Sequence, residues 1–272
     1  MNGTQIHSTA CVEVGAELGE NAIIGPFCYI GADVVLGDNC EVMSHATIIG
    51  VTTIGSGSKI YPHAVLGADP QNKKHRGGRT TLKIGKNCII REGVTMHCGS
   101  DSSLGRTIVD DDCVFLAYAH VAHDCVLGHH VTFSNNVMIG GHVVIGDHVI
   151  IGGGGAVHQF VHVGHHAFVG GLAALTADLI PYGMAIGVHA WLGGLNIIGM
   201  KRSGLERSEI HALRHAVSML FDRKKPIRER INDVQITYLH SKAVADMVTF
   251  IKANRKRSFC TPKINFDATL KE

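Results

Sequence analysis

The sequence predicts a parallel β-helix closed by a helical segment, and three observations carry that reading. Counting in sixes from Ile6, an apolar residue recurs at Val12, Leu18, Ile24, Ile30, Leu36, Val42, Ile48, Ile54, Ile60 and Leu66. The count resumes at Ile84, Ile90 and Met96, then runs in a new phase from Val109 through Phe115, Val121, Leu127, Phe133, Ile139, Ile145, Ile151, Val157, Val163 and Val169 to Leu175. In a chain that is 45% hydrophobic, the twelve consecutive hits of that last block have a chance probability on the order of one in ten thousand. Secondly, glycine often follows the apolar residue, as at Gly19, Gly25, Gly31, Gly128, Gly140, Gly146 and Gly152. Thirdly, the position four after it is small, as at Ala10, Ala22, Cys28, Cys40, Ala46, Cys113, Ala119, Cys125 and Ala167. A six-residue period with both constraints describes short flat strands joined by tight turns, three to a triangular coil.

Residues eighteen apart then stack on successive coils about 4.8 Å from one another. The solenoid is expected to occupy residues 1–200 as one domain. Two polar, glycine-bearing segments, 67–83 and 97–108, break the count and are expected to leave the coil as loops, where function tends to sit on a rigid scaffold. After Leu175 the count fails at Pro181 and Gly187, although Ile180, Ile186, Leu192 and Ile198 suggest a last shifted coil. From about Ser203 the spacing turns helical, with Ile210, Leu213, Val217, Leu220 and Phe221 on one face. Pro226 suits the first turn of a second helix, and Val244 to Ile251 suggests a third. Residues 201–272 therefore read as an α-helical domain capping the solenoid.

Composition narrows the class. Thirty-three glycines and a single tryptophan fit a structure made of turns. No basic, apolar leader opens the chain, so a cytoplasmic protein is expected. The stretch Val137 to Val157 is membrane-like in hydropathy, but it carries His142, Asp147, His148 and glycines in hexapeptide phase, so it reads as solenoid and no membrane span is expected. Of the eight cysteines, Cys28, Cys40, Cys88, Cys113 and Cys125 fall in the small inward position, where a thiol acts as a small hydrophobe, and no CxxC pair occurs. Residues 1–200 hold 9 Lys and Arg against 15 Asp and Glu, a net −6, while residues 201–272 hold 16 against 8, a net +8. That asymmetry points to an acidic partner at the C-terminal end. Without aromatic residues interleaved among these charges, nucleic acid is not expected, and an acidic carrier protein suits the pattern better.

None of the histidines in the counted coils takes an inward position, so they point outward or lie at turns. Hexads starting at Val121, Ile139 and Val157 share a face that carries His123, Asp124, Gly141, His142, His158 and Gln159, with His120 at the corner leading onto it. Gly141 follows His123 by eighteen residues, which sets its backbone over that imidazole with no side chain in the way. A base, a carboxylate and an accessible backbone N–H are what acyl transfer requires. His130, His148 and His166 form a second column, accompanied by His129 and His165. Zinc is an alternative there, but rungs of a ladder do not converge on a tetrahedral centre, so no metal is expected. Cys125 is excluded as a nucleophile by its inward phase.

These residues carry a resemblance. AHVAHDC (Ala119 to Cys125), NNVMIGGH (Asn135 to His142), AVHQF (Ala156 to Phe160), VGG (Val169 to Gly171) and GxNxxGxKR (Gly194 to Arg202) resemble the UDP-N-acetylglucosamine O-acyltransferases over nearly the whole chain. The hexapeptide repeat itself resembles the left-handed β-helix acyltransferases, and the left hand is expected on that ground alone, since parallel crossovers are otherwise right-handed.

The resemblance implies a homotrimer with active sites between subunits. It implies transfer of a 3-hydroxyacyl group from acyl carrier protein to the 3-position of UDP-N-acetylglucosamine, the first step of lipid A synthesis. The acyl donor rides on the carrier's phosphopantetheine arm, with no other cofactor. On this basis His123 is the general base, Asp124 its partner, and Gly141 the oxyanion donor. His120, His142, His158, Gln159 and Lys74 line the sugar-nucleotide and acyl-carrier site. Gly171 is the floor that limits acyl length, and His189, Asn196 and Arg202 lie further along the groove or near the nucleotide.

Three positions depart from the family's pattern. Asn72 stands where an aspartate is common, Ser203 where a second arginine follows, and Ile198 replaces an acidic residue. The last two bear on nucleotide contacts. The first bears on the acceptor, because a neutral amide in place of a carboxylate removes a stabiliser of an ammonium group and favours a 3-amino analogue. Two other readings use the same scaffold. The later N-acyltransferase of the pathway is expected to carry a domain before the repeats, which here begin at Ile6. A trimeric zinc hydratase of the γ-carbonic anhydrase type would gather histidines around a metal.

Overall fold

The computed structural model describes residues 3–222, 226–253 and 257–263. Its strands fall into three sheets of 11, 9 and 8 strands, parallel and each taking every third strand of the chain until the last two strands of the eleven-stranded sheet, which form an antiparallel hairpin. Most strands are two residues long, one residue facing out and the next facing in, as in Tyr29–Ile30 and Met138–Ile139. The inward residue is the apolar residue of the count, and Ile24, Ile60, Phe115, Phe133 and Ile151 are all buried. Each such side chain contributes about 1.5–3 kcal/mol, so the core runs down the axis as a column rather than a centre.

Two-residue strands demand a sharp corner after each one, and the backbone makes it with a residue in the left-handed region. Asn21, Asn39, His45, His63, Asn87, Asp112, Asp124, His130, Asn136, His142, His148 and His166 all have φ between 54° and 64°. Short polar side chains tolerate that region best, so much of the histidine content serves the corners.

Register follows the count of eighteen except across the two interruptions and at the last pairing, where Phe168 meets Met184, sixteen apart. His120 pairs with Met138 and Met138 with Ala156, eighteen apart. Lys59 pairs with Ile89, thirty apart, and Ile89 with Val114, twenty-five apart, so the chain leaves the coil twice and returns in register. The loops are shorter than the sequence suggests. Strands Val65–Ala68, Thr81–Ile84, Thr95–His97 and Arg106–Val109 confine them to 69–80 and 98–105. The reason is that Thr81–Ile84 pairs along its full length with both Val51–Ile54 and Arg106–Val109, burying Thr52, Leu82 and Thr107 between rungs.

The expected last coil through Ile180, Ile186, Leu192 and Ile198 is instead a hairpin. Strand Gly183–Ile186 pairs antiparallel with Trp191–Leu195, the turn being made at Gly187 with φ +93°. Among the described residues four helices follow: α1 (Ile197–Arg202), α2 (Arg207–Phe221), α3 (Ile227–Thr237) and α4 (Lys242–Lys252). Ile198 is exposed on α1. Ile210, Leu213, Ala216 and Leu220 of α2 are buried against the later helices, and the Glu209 carboxylate accepts from Ser241 Oγ (2.8 Å) and Ala243 N (2.9 Å) to fix the start of α4. The chain then returns to the solenoid, where Asp178 bridges Phe259 and Leu192 N donates to Thr261 O. The end of the core is thereby covered.

Candidate active site

Three consecutive rungs of the nine-stranded sheet build the site. Strand His120–Val121 delivers His123 and Asp124 to its corner, Met138–Ile139 delivers Gly141 and His142, and Ala156–Val157 delivers His158 and Gln159. His142 N donates to His123 O at 3.1 Å, so adjacent corners are tied together. The resulting cleft has a volume of about 570 Å³ and is walled by His120, His123, Gly141, His158, Gln159 and, from the first loop, Gln71.

Asp124 is the best-held group in it. Its side chain is fully buried, and His123 Nδ1 lies 2.7 Å from Oδ2. The main-chain N–H of Ser100 donates to both carboxylate oxygens at 3.1 Å, and that of Gly105 donates to Oδ1 at 2.9 Å. Asp124 N in turn donates to Thr107 Oγ1 at 2.9 Å. A carboxylate only accepts, so Nδ1 of His123 is the donor of this bond, and it is Nε2 that is left to face the cleft as the base.

His123 lies against Gly141. A Cβ on residue 141 would meet His123 Cε1 at 2.7 Å and Nε2 at 2.8 Å, closer than side chains approach. Gly141 is buried, yet among the described residues no acceptor takes up its N–H. Gly141 itself lines the cleft, and its Cα side lies against the His123 ring.

Around this pair burial disfavours the charged form of His97, His120 and His142. Burial, with His97 and His123 nearby, pushes the His120 imidazole down to about 4, and Thr95 Oγ1 lies 2.8 Å from its Nδ1. His142 is lowered by burial against the opposing pull of Asp124; its ring stands edge-on to His123 and stacks on Phe160 at 4.3 Å. His97 was not legible from the repeat, because it falls where the count breaks. It is buried, burial lowers its pKa against the opposing pull of the Asp69 main chain, and it stands edge-on to His120 at 5.2 Å. Ser100, Gly105 and Thr107, which hold Asp124, fall in the same interruption.

The remaining expected residues are spread more widely. Asn72 and Lys74 are on the first loop, with Lys74 exposed. His189 bridges Ala174 at the end of the column His120, Met138, Ala156 and Ala174. Gly171 is exposed at the preceding corner, where a Cβ would stand 3.3 Å from Gly153 O. Asn196 and Arg202 line a separate cleft of about 650 Å³ with Ile198, Ser203 and the second histidine column. Within one chain they are not brought to His123. Asn196 also caps α1, accepting from Gly199 N at 3.0 Å and donating to His166 O at 2.9 Å.

The second column is a stack. His130, His148 and His166 lie face to face at 4.6 Å with interplanar angles of 13° and 7°, and Tyr182 continues the stack at 5.3 Å. Parallel rings aim their lone pairs side by side rather than at one centre. Among the described residues one set could meet at a metal, His123, Asp124 and His142, whose ligand atoms lie within 4.8 Å of one another. Its carboxylate is already occupied by Ser100, Gly105 and His123. Cys125 is buried inside the coil with its thiol pushed up to about 12 by desolvation, out of reach of the cleft.

Comparison with known proteins gives the class first. A profile described as bacterial transferase hexapeptide (six repeats) matches residues 15–50 and 33–68, and the chain is a hexapeptide-repeat acyltransferase wound as a left-handed β-helix. A second profile, UDP N-acetylglucosamine O-acyltransferase domain 2, matches residues 178–260. A Bartonella henselae protein named acyl-[acyl-carrier-protein]–UDP-N-acetylglucosamine O-acyltransferase is 65% identical over 267 residues, covering 98% of this chain and 97% of its own. A Brucella ovis protein of the same name is 64% identical over 265 residues, covering 97% and 95%. The solved UDP-N-acetylglucosamine acyltransferase of Francisella novicida superposes with a TM-score of 0.92 at 33% identity, covering 97% of this chain and 96% of that one. The chain belongs to the UDP-N-acetylglucosamine O-acyltransferase family. These relatives lend nothing to the zinc hydratase expectation.

Proposed function

We propose that this chain transfers a 3-hydroxyacyl group from acyl carrier protein to the 3-hydroxyl of UDP-N-acetylglucosamine, with His123 as general base and no covalent enzyme intermediate. The reading is carried by a His123 ring, oriented by a buried carboxylate, with Gly141, whose N–H is not engaged by another described residue, packed against that ring in the cleft. Nε2 of His123 takes the proton of the sugar hydroxyl as its oxygen attacks the thioester carbonyl. The carbon–oxygen bond forms, and the carbonyl oxygen becomes an oxyanion that the Gly141 N–H receives, an interaction worth about 3 kcal/mol. The carbon–sulfur bond then breaks and the imidazolium returns its proton to the phosphopantetheine sulfur. Asp124 holds the tautomer and stabilises the imidazolium.

His120, His142, His158, Gln159 and Lys74 are assigned to the sugar nucleotide and the arriving arm, His189 and Gly171 to the far end of the acyl path. Asn196 and Arg202 serve the nucleotide from a neighbouring subunit of a homotrimer, which accounts for their distance from His123 in one chain. The acidic carrier docks on the C-terminal segment, where residues 201–272 carry a net charge of +8. The division expected at residue 200 falls inside α1 (Ile197–Arg202), so the functional boundary is taken at the start of that helix, solenoid for chemistry and helices for docking. Reaction in the cytoplasm fits these substrates, and no helix among the described residues is long and apolar enough to cross a membrane.

Purified protein given both substrates should form the 3-O-acyl product, and His123→Ala should abolish turnover with the fold retained. Near-native turnover by that variant rejects His123 as the base. A second acceptor is favoured by one observation. Asn72 is neutral where the family commonly has a carboxylate, which suits the 3-amino analogue and amide formation. Competition between the two acceptors decides it, and a clear preference for the hydroxyl sugar ends the amine reading.

A further inference from the structure

The two loops that break the repeat lie against one another and against the carboxylate of the base. Asn72 Nδ2 donates to Ser100 Oγ at 3.1 Å, and its Oδ1 accepts from Lys74 N at 3.0 Å, so both ends of this amide are engaged within the protein. Beside it, the Asp101 carboxylate accepts from the main-chain N–H groups of Arg76 (3.0 and 3.1 Å) and Gly78 (2.8 Å), and His75 Nδ1 lies 3.2 Å away. The fit is close enough that a Cβ on residue 78 would stand 2.7 Å from Asp101 Cβ. Loop 69–80 is thus latched to loop 98–105 through two successive residues, Ser100 and Asp101.

Ser100 faces both ways. It is fully buried; its N–H is shared between the two oxygens of Asp124, and its hydroxyl takes the Asn72 amide and joins Ser102 Oγ at 2.9 Å. One residue therefore touches the carboxylate that orients the imidazole and the loop that brings Gln71 to the cleft wall. We propose that Ser100 is a positioning residue that couples the seating of the acceptor sugar on loop 69–80 to the alignment of the His123–Asp124 pair. The inference rests on the acceptor being the sugar nucleotide of the preceding section. Asn72 then acts on the reaction through Ser100 whichever acceptor is bound. Contact of the acceptor with Gln71 or Lys74 flanks Asn72 on both sides, and any movement of Asn72 is delivered to Ser100 Oγ. Because Asp124 takes its remaining hydrogen bond from Gly105 of the same loop, that loop moves the carboxylate as a unit.

The test uses the full-length protein with ¹⁵N-labelled histidine. The His123 Nδ1–H signal, assigned by its loss in Asp124→Asn, is followed while UDP-N-acetylglucosamine is added, with binding measured by calorimetry. In the native protein binding should shift the signal. In Ser100→Ala, which keeps the main-chain donor, and in Asn72→Ala, the nucleotide should still bind but leave the signal unmoved. Turnover in each should fall about tenfold, the scale of lost second-layer partners. The double variant should be no worse than the poorer single, since both remove one contact. A shift that persists in Ser100→Ala, or losses that multiply in the double variant, overturns the coupling. Binding to the native protein without any shift overturns it while the proposed function stands; no binding at all overturns both.

Discussion

Gly141→Ala offers the sharpest test of the site, because the structure fixes both the insult and its size. The new methyl carbon would lie 2.7 Å from His123 Cε1 and 2.8 Å from Nε2. Carbon atoms rest at about 3.5 Å, so the ring must retreat by about 0.8 Å. Its partner cannot follow, since Asp124 is fixed by Ser100 and Gly105, and the 2.7 Å bond from His123 Nδ1 is lost or badly bent. A misplacement of this order costs about a hundredfold in turnover. That corresponds to about 2.7 kcal/mol of barrier. Gly141 does not occupy the left-handed region, so alanine brings no backbone strain and the melting temperature should stay near native. Gly31→Ala serves as the control, for its Cβ would meet nothing closer than 3.4 Å and it lies far from the cleft. Steady-state turnover with acyl carrier protein thioester and sugar nucleotide is the assay. A Gly141→Ala protein within threefold of native kcat would refute the stacked geometry as the basis of catalysis.

Asp124→Asn should keep the fold, because asparagine tolerates the corner conformation at φ 60°, while placing an amide N–H against Ser100, Gly105 or His123; turnover should drop about a thousandfold, and a loss under tenfold would deny Asp124 its orienting role. Stability should fall on acidification. His120 and His166 are held at about 4 by burial, against about 6.5 when unfolded, so between those values the unfolded chain binds more protons and the native state loses stability as pH drops from 6.5 toward 4. Melting temperatures from pH 7 to pH 4 check this, and His166→Asn should flatten the slope; an unchanged slope would remove the histidine stack as a contributor. Cys125 should resist iodoacetamide in the native protein at neutral pH while the exposed Cys11 reacts, as mass spectrometry of the peptides can show; rapid labelling of Cys125 would contradict its inward placement.

The parts legible in the sequence were those that repeat. Each rung obeys the same local rule, so Val121, Ile139 and Val157 announce a shared face and His123 falls beneath Gly141 by counting alone. What the count could not reach was whatever lies between its blocks. His97 and Ser100 have no phase, and only the fold shows them against His120 and Asp124. The hairpin Gly183–Ile186 with Trp191–Leu195 kept enough apolar residues at sixes to resemble a coil, but Gly187 reverses the chain and antiparallel pairing takes over. Asn196 shows a different limit. A motif marks it as a binding residue, whereas its amide closes a helix end and a main-chain contact to His166, neither of which spacing reveals. The abundance of histidine also has a plainer cause than chemistry at several positions, since the corners of the solenoid demand residues that accept a positive φ.

Pairing every eighteenth residue makes the molecule a stack of storeys. One whole storey inserted between Val163 and Gly164 would raise the helical end by about 4.8 Å and leave everything from His120 to Gln159 untouched. A single added residue between His142 and His158 would instead turn the upper storeys out of phase and carry His158 off the cleft. The reach from the reacting imidazole to the basic end of the protein can thus be lengthened or shortened only in whole storeys, as a ladder is extended by rungs and not by fractions of one.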